Sequence, residues 1–165
     1  MAQVGRTSVA QVVEMLNAPA GLGFRVAEIA QRDSLAFGVA EAQRIISQNV
    51  AAELAERTAG AQYPALYVYC EKISNELREK FRTFSGKVKL SIEVRVSQDR
   101  LEAIDQQLGL YAEAITDVLD AKRGDWGQGM FYGGGYEVSF SAAKHGGKNF
   151  LQTAKVTFDV EVSVR

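Results

Sequence analysis

The chain reads as an α+β fold: an antiparallel or mixed sheet of about four strands, a long helix packed on one face, and an N-terminal helical arm. Three observations predict it. Val88, Leu90, Ile92, Val94 and Val96 alternate with Lys87, Lys89, Ser91, Glu93 and Arg95, a period that only a strand with one wet face uses. Ala154, Val156, Phe158, Val160, Val162 and Val164 alternate in the same way with Lys155, Thr157, Asp159, Glu161 and Ser163. Between them, Leu101, Ile104, Leu108, Tyr111, Ile115, Val118 and Leu119 recur at helical spacing. That stripe covers roughly a third of the helix circumference and would lie on the sheet.

The elements follow in order. Thr7 is a plausible N-cap for a first helix carrying Val9, Val12, Val13 and Leu16. The stretch from Asn17 to Gly23, with Pro19 and Gly21, stops it. Phe24, Val26 and Ile29 fit a short strand or a helix start equally, so residues 24–40 carry no assignment. Ile45, Ile46, Val50 and Leu54 predict a second amphipathic helix over Glu41–Thr58, ended by Gly60. Residues 1–60 thus form the helical arm, and residues 61–165 the α+β core domain.

In the core domain, Leu66-Tyr67-Val68-Tyr69-Cys70 is an apolar, β-favouring run and predicts a buried strand. Residues 75–84 are highly charged and of undetermined type. Ser97 or Asp99 would cap the long helix, with Asp99 and Glu102 in capping-box spacing. Tyr136, Val138 and Phe140 alternate with Glu137 and Ser139 and predict a further strand. A polar, glycine-bearing connection over residues 143–149 joins it to the last.

Composition excludes more than it suggests. The 165 residues suit one domain with an added arm, and the formal net charge is -1. No global basic field exists for gripping nucleic acid. Residues 61–100 hold 8 basic and 5 acidic residues, whereas residues 101–165 hold 6 and 9. A mildly basic middle and an acidic end suit stacking on copies or partners. With one cysteine, Cys70, and one histidine, His145, neither an intrachain disulfide nor a cysteine zinc cluster can form. No apolar run approaches the ~20 residues of a membrane span. Residues 1–10 hold no apolar signal core, so secretion is not expected.

Candidate chemistry is thin. Gly127-Gln128-Gly129-Met130-Phe131-Tyr132 lacks the third glycine of a dinucleotide fingerprint, and Gly147-Lys148-Asn149 lacks the hydroxyl residue of a P-loop. Turn geometry is the simpler need for those glycines. His145 lies in a polar loop without a recognisable partner, and Cys70 reads as a small hydrophobe. Arg78, Lys80, Arg82, Lys87, Lys89 and Arg95, interleaved with Phe81 and Phe84 but diluted by Glu76, Glu79 and Glu93, suit a subunit contact better than a DNA grip. The most unusual segment is Arg123–Tyr136. Arg123, Asp125, Trp126, Phe131, Tyr132 and Tyr136 are candidate interface residues there, because aromatics on a glycine-rich loop are typical contact anchors. The alternative is a loop folded over its own core. Glu102, Glu113, Asp117 and Asp120 lie on the outward side of the long helix, either as a solvated face or as the lining of a channel along which DNA slides.

From residue 61 the chain resembles the tail terminator (tail completion) proteins of long-tailed bacteriophages and related gene-transfer particles. The resemblance lies in Tyr63-Pro64-Ala65-Leu66, in the strand from Ser85 to Arg95, in the helix from Gln98 to Asp120, in Gly133-Gly134-Gly135-Tyr136-Glu137-Val138 and in the valine-rich last strand. It spans about 100 residues and is one of overall pattern, with no catalytic signature. It implies a structural protein of the virion neck, assembled in the host cytoplasm, and not an enzyme. It implies a homo-oligomeric ring, commonly a hexamer, that caps the tail tube and then binds the head-tail connector or stopper. DNA passes through the lumen without specific binding, and no cofactor, metal or membrane is involved. Glu102, Glu113, Asp117 and Asp120 become candidate lumen-facing residues. The neighbouring expectation is a connector stopper or adaptor, or a tail tube subunit, which would polymerise into filaments.

Overall fold

The structure, a computed structural model, describes residues 2–35, 45–51, 54–55, 62–146 and 149–165. In chain order the elements are α1 (Ala2–Asn17), α2 (Leu22–Arg32), β1 (Ile45–Ile46), β2 (Ala65–Asn75), β3 (Phe84–Gln98), α3 (Leu101–Ala121), β4 (Gly124–Gly127), β5 (Met130–Tyr132), β6 (Glu137–Phe140), β7 (Lys144–Gly146) and β8 (Asn149–Val164).

The expected four-stranded sheet is corrected to a mixed sheet of eight strands among the described residues. Its order is β1-β2-β3-β8-β5-β4, with β6 and β7 also paired to β8. The α+β class stands. The 16-residue β8 explains the larger count. One side of it pairs with β3 from Phe84↔Val164 to Gln98↔Phe150. Its other side takes β7, β6 and β5 in turn. Those partners and β4 are three or four residues long. Segments so short hold their shape by pairing with a long neighbour and leave little periodic trace in the sequence.

One face of the sheet carries the core. Val88, Leu90, Ile92, Val94 and Val96 of β3 and Ala154, Val156, Phe158, Val160 and Val162 of β8 share a single apolar cluster with α1, α2 and α3. The N-terminal helices are therefore built into the same core as the sheet. Helix α1 begins at Ala2, well before the expected cap at Thr7, and runs through Gly5. Gly5 lets the helix approach β2 closely: a Cβ there would meet Ile73 Cδ1 at 3.1 Å. The stop at residues 17–23 is short, and α2 starts at Leu22, burying Leu22, Val26 and Ile29 at helical spacing. It thus starts inside the expected stop and fills the first part of residues 24–40, which the sequence leaves unassigned.

Two further expectations are revised. The helix proposed over Glu41–Thr58 is interrupted: Ile45 and Ile46 form β1, parallel to Leu66 and Tyr67. Ile45 packs on the main core and Ile46 on the opposite side of the sheet, the two-residue alternation of a strand. Leu54 and Ala55 are helical, and the remainder of that prediction lies outside the described residues. Helix α3 starts at Leu101 with Arg100 at its N-cap and no side-chain cap, so neither Ser97 nor Asp99 caps it.

The polar face is only partly wet. Ala65, Tyr67 and Tyr69 of β2 form a second small cluster there, covered by Ile46, Val50, Ala55 and Tyr63. Under this cover Arg95 is buried, its guanidinium 4.0 Å from the Tyr67 ring centre. It donates to Val50 O and, at 2.9 Å, to Glu93 Oε2.

Candidate functional site

The Arg123–Tyr136 segment is an ordered hairpin. Strand β4 pairs with β5 as Gly124↔Tyr132, Asp125↔Phe131 and Gly127↔Met130, with an irregularity at Trp126. The reversal falls at Gln128 and Gly129, both at positive φ (54° and 77°), which matches the twist of two-residue hairpins. Asp125 Oδ1 accepts from Gly127 N–H at 2.8 Å and holds the turn. The hairpin is latched to β8, because Ser163 N–H donates to Gly129 O at 2.9 Å.

The six candidate interface residues divide by environment. Tyr132 is fully buried and its hydroxyl donates to Gly135 O at 3.3 Å; burial pushes that hydroxyl up to about 12. Trp126 is half-buried. Its ring centre lies 5.4 Å from Tyr132 and 6.4 Å from Phe158. Its Nε1–H donates at 2.6 Å to Lys122 O, a carbonyl at the C-terminal end of α3. These two aromatics tie the hairpin to the core. Phe131 and Tyr136 are exposed. Both line a cleft of about 500 Å³ on the polar side, together with Gly133, Lys87, Glu137 and Asp159. Arg123 pairs with Asp120 at 3.0 Å and lies against Gly134, where a Cβ would meet its Nε at 2.7 Å. Asp125 is exposed.

The acidic side of α3 is less uniform than its sequence suggests. Helix α2 packs on α3, and Arg32 clamps Glu113 with two bonds of 2.8 and 3.1 Å. Arg32 also reaches Asp33, which holds the Asp33 carboxyl below its usual range. Asp117 stays above the usual carboxylate range, first through desolvation and then through Glu113. The structure brings Glu113, Asp117 and Asp120 together. Glu102 stands apart, about 16 Å up the helix at 1.5 Å per residue.

The three arginines of the basic stretch are paired, Arg95 with Glu93 as above. Arg78 contacts Glu76 and Glu161, and Arg82 contacts Glu79. Phe84 opens β3 inside the core, whereas Phe81, in the turn between β2 and β3, is 99% exposed at φ 64°. Sequence reasoning also missed a polar network across the sheet. Tyr69 donates to Glu93 at 2.6 Å, and Ser91 donates to Glu71 at 2.7 Å. Lys155 pairs with Glu71 and holds that carboxyl below its usual range. Its signal was present in the polar residues of three strands, but their register was not readable.

His145 is exposed and its ring lies 5.1 Å from that of Phe150. Burial pushes the Cys70 thiol up, away from the thiolate that a nucleophile needs. Among the described residues, no group of three or more histidines, cysteines and carboxylates could hold a metal ion, and no helix is long and apolar enough to cross a membrane. No protein-family model matches the chain, and no curated protein matches it.

Proposed function

We propose that the chain is a ring-forming structural subunit of the virion neck, a tail terminator that caps the tail tube and joins it to the head connector, with DNA passing through the lumen. The observation that carries this reading is a sheet in which, among the described residues, β2 beyond Tyr67 pairs only with β3 and β6 pairs only with β8, beside two exposed aromatics, Phe131 and Tyr136. Unpaired edges and exposed aromatics are costly in an isolated monomer and are relieved when neighbours cover them. The sequence resemblance from residue 61 supplies the class of assembly. In this reading Phe131 and Tyr136 meet the neighbour, tube or connector. Glu102, Glu113, Asp117 and Asp120 face the lumen, where partial neutralisation by Arg32 and Arg123 leaves a mildly repulsive surface for sliding DNA.

The test is to mix the purified protein with polymerised tail tubes and image them by negative stain. A terminator decorates one tube end with a single ring. Long filaments of the protein alone would favour a tube subunit instead. Bare tube ends together with a strictly monomeric protein would remove the proposal.

A further inference from the structure

We propose that copies of this chain join by extending their sheets, the outer edge of β2 in one copy receiving the outer edge of β6 from the next. The inference rests on the ring-forming reading above and names the two surfaces that would build it. Strand β1 pairs with β2 only at Leu66 and Tyr67. From Val68 to Asn75 the outer edge of β2 has no strand beside it among the described residues. Among the described residues strand β6 pairs with β8 alone, so its outer edge has no strand beside it either. These edges lie on opposite sides of the β3–β8 centre, so one copy offers a donor and an acceptor at once. Such a head-to-tail contact is heterologous and closes into a ring when the rotation per copy allows it.

The two edges match in shape and charge. Beside β2 runs a groove of about 790 Å³, walled by residues 47–49 and floored by Gly5, Arg6, Val9 and Ala10 of α1. Residues paired across a sheet share a face. Phe140 pairs with Ala154, a core-side residue, and is 56% exposed. In a continued sheet Phe140 arrives on the α1 side of the neighbour, over the Gly5, Val9 and Ala10 part of that floor. Glu137 pairs with Thr157 on the polar side. Lys72 of the acceptor edge lies on the polar side as well, opposite Lys89, and makes no ion pair among the described residues. In the proposed join the register sets Glu137 of one copy beside Lys72 of the next, where Lys155 already neutralises the adjacent Glu71.

The experiment is sedimentation velocity across a dilution series, with folding checked by melting. Lys72→Glu and Glu137→Lys should each weaken association by at least ~10-fold through like-charge contact. The double variant Lys72→Glu/Glu137→Lys should recover most of it. Phe140→Ser should weaken association similarly without lowering the melting temperature. If the wild-type protein forms rings that all four variants leave intact, the edge assignment is overturned and the ring reading stands. A wild-type chain that stays monomeric throughout overturns both.

Discussion

Trp126 and Phe131 sit five residues apart on one hairpin and do opposite jobs. Trp126 stacks on Tyr132 and Phe158 and donates to Lys122 O. Truncation to alanine removes the stack and that bond together. Trp126→Ala should cost about 3 kcal/mol of stability, read by urea unfolding. Phe131→Ser should leave stability within about 0.5 kcal/mol while lowering the assembled fraction in sizing runs. The reverse ranking would make Trp126 the contact anchor. Asp117 supplies a second test. Its carboxyl titrates above the usual range in the fold, so ionising it opposes folding. The penalty is present above the folded value and vanishes once pH drops below the unfolded value of about 3.9. Asp117→Asn should therefore raise the melting temperature near about pH 7 and change nothing near about pH 3. A gain of equal size at both would place the effect in packing instead of charge.

Among the elements, the β4–β5 hairpin depends on one glycine. At φ 77°, Gly129 sits where a Cβ would fall 2.0 Å from Ser163 O. Gly129→Ala should cost at least about 2 kcal/mol and loosen the hairpin. Gly133→Ala, with open space around it, should be close to neutral. Thermal melts of the two variants separate the roles. The long elements were legible because their burial is periodic: β3, β8 and α3 each show a pattern that one face of a packed layer imposes. The short ones were not. Ile45 and Ile46 fit a helical stripe with Val50 and Leu54, yet they pair with β2 because a long neighbouring strand outweighs local propensity. In the hairpin, Trp126 and Phe131 read alike as loop aromatics. Only the pairing of Asp125 with Phe131 and the stacking on Phe158 separate the inward ring from the outward one. The four carboxylates of α3 were found by spacing alone, but Arg32, which clamps Glu113, and Arg25, which with Arg32 tempers Asp117, came from a stretch whose structure was undetermined.

For the whole molecule, the account is one of surfaces waiting for neighbours. The core is complete on the helix side, where α1, α2 and α3 cover the sheet. Among the described residues, the outer edges of β2 beyond Tyr67 and of β6 have no strand beside them, and a cleft lies beside Phe131 and Tyr136. The most direct test is the solution mass of the purified protein, followed by light scattering over a hundredfold range of concentration. The account predicts one dominant species at a fixed multiple of the 18.0 kDa subunit, about 108 kDa for a ring of six. A mass that stays at one subunit throughout, or that grows without limit as concentration rises, would contradict it.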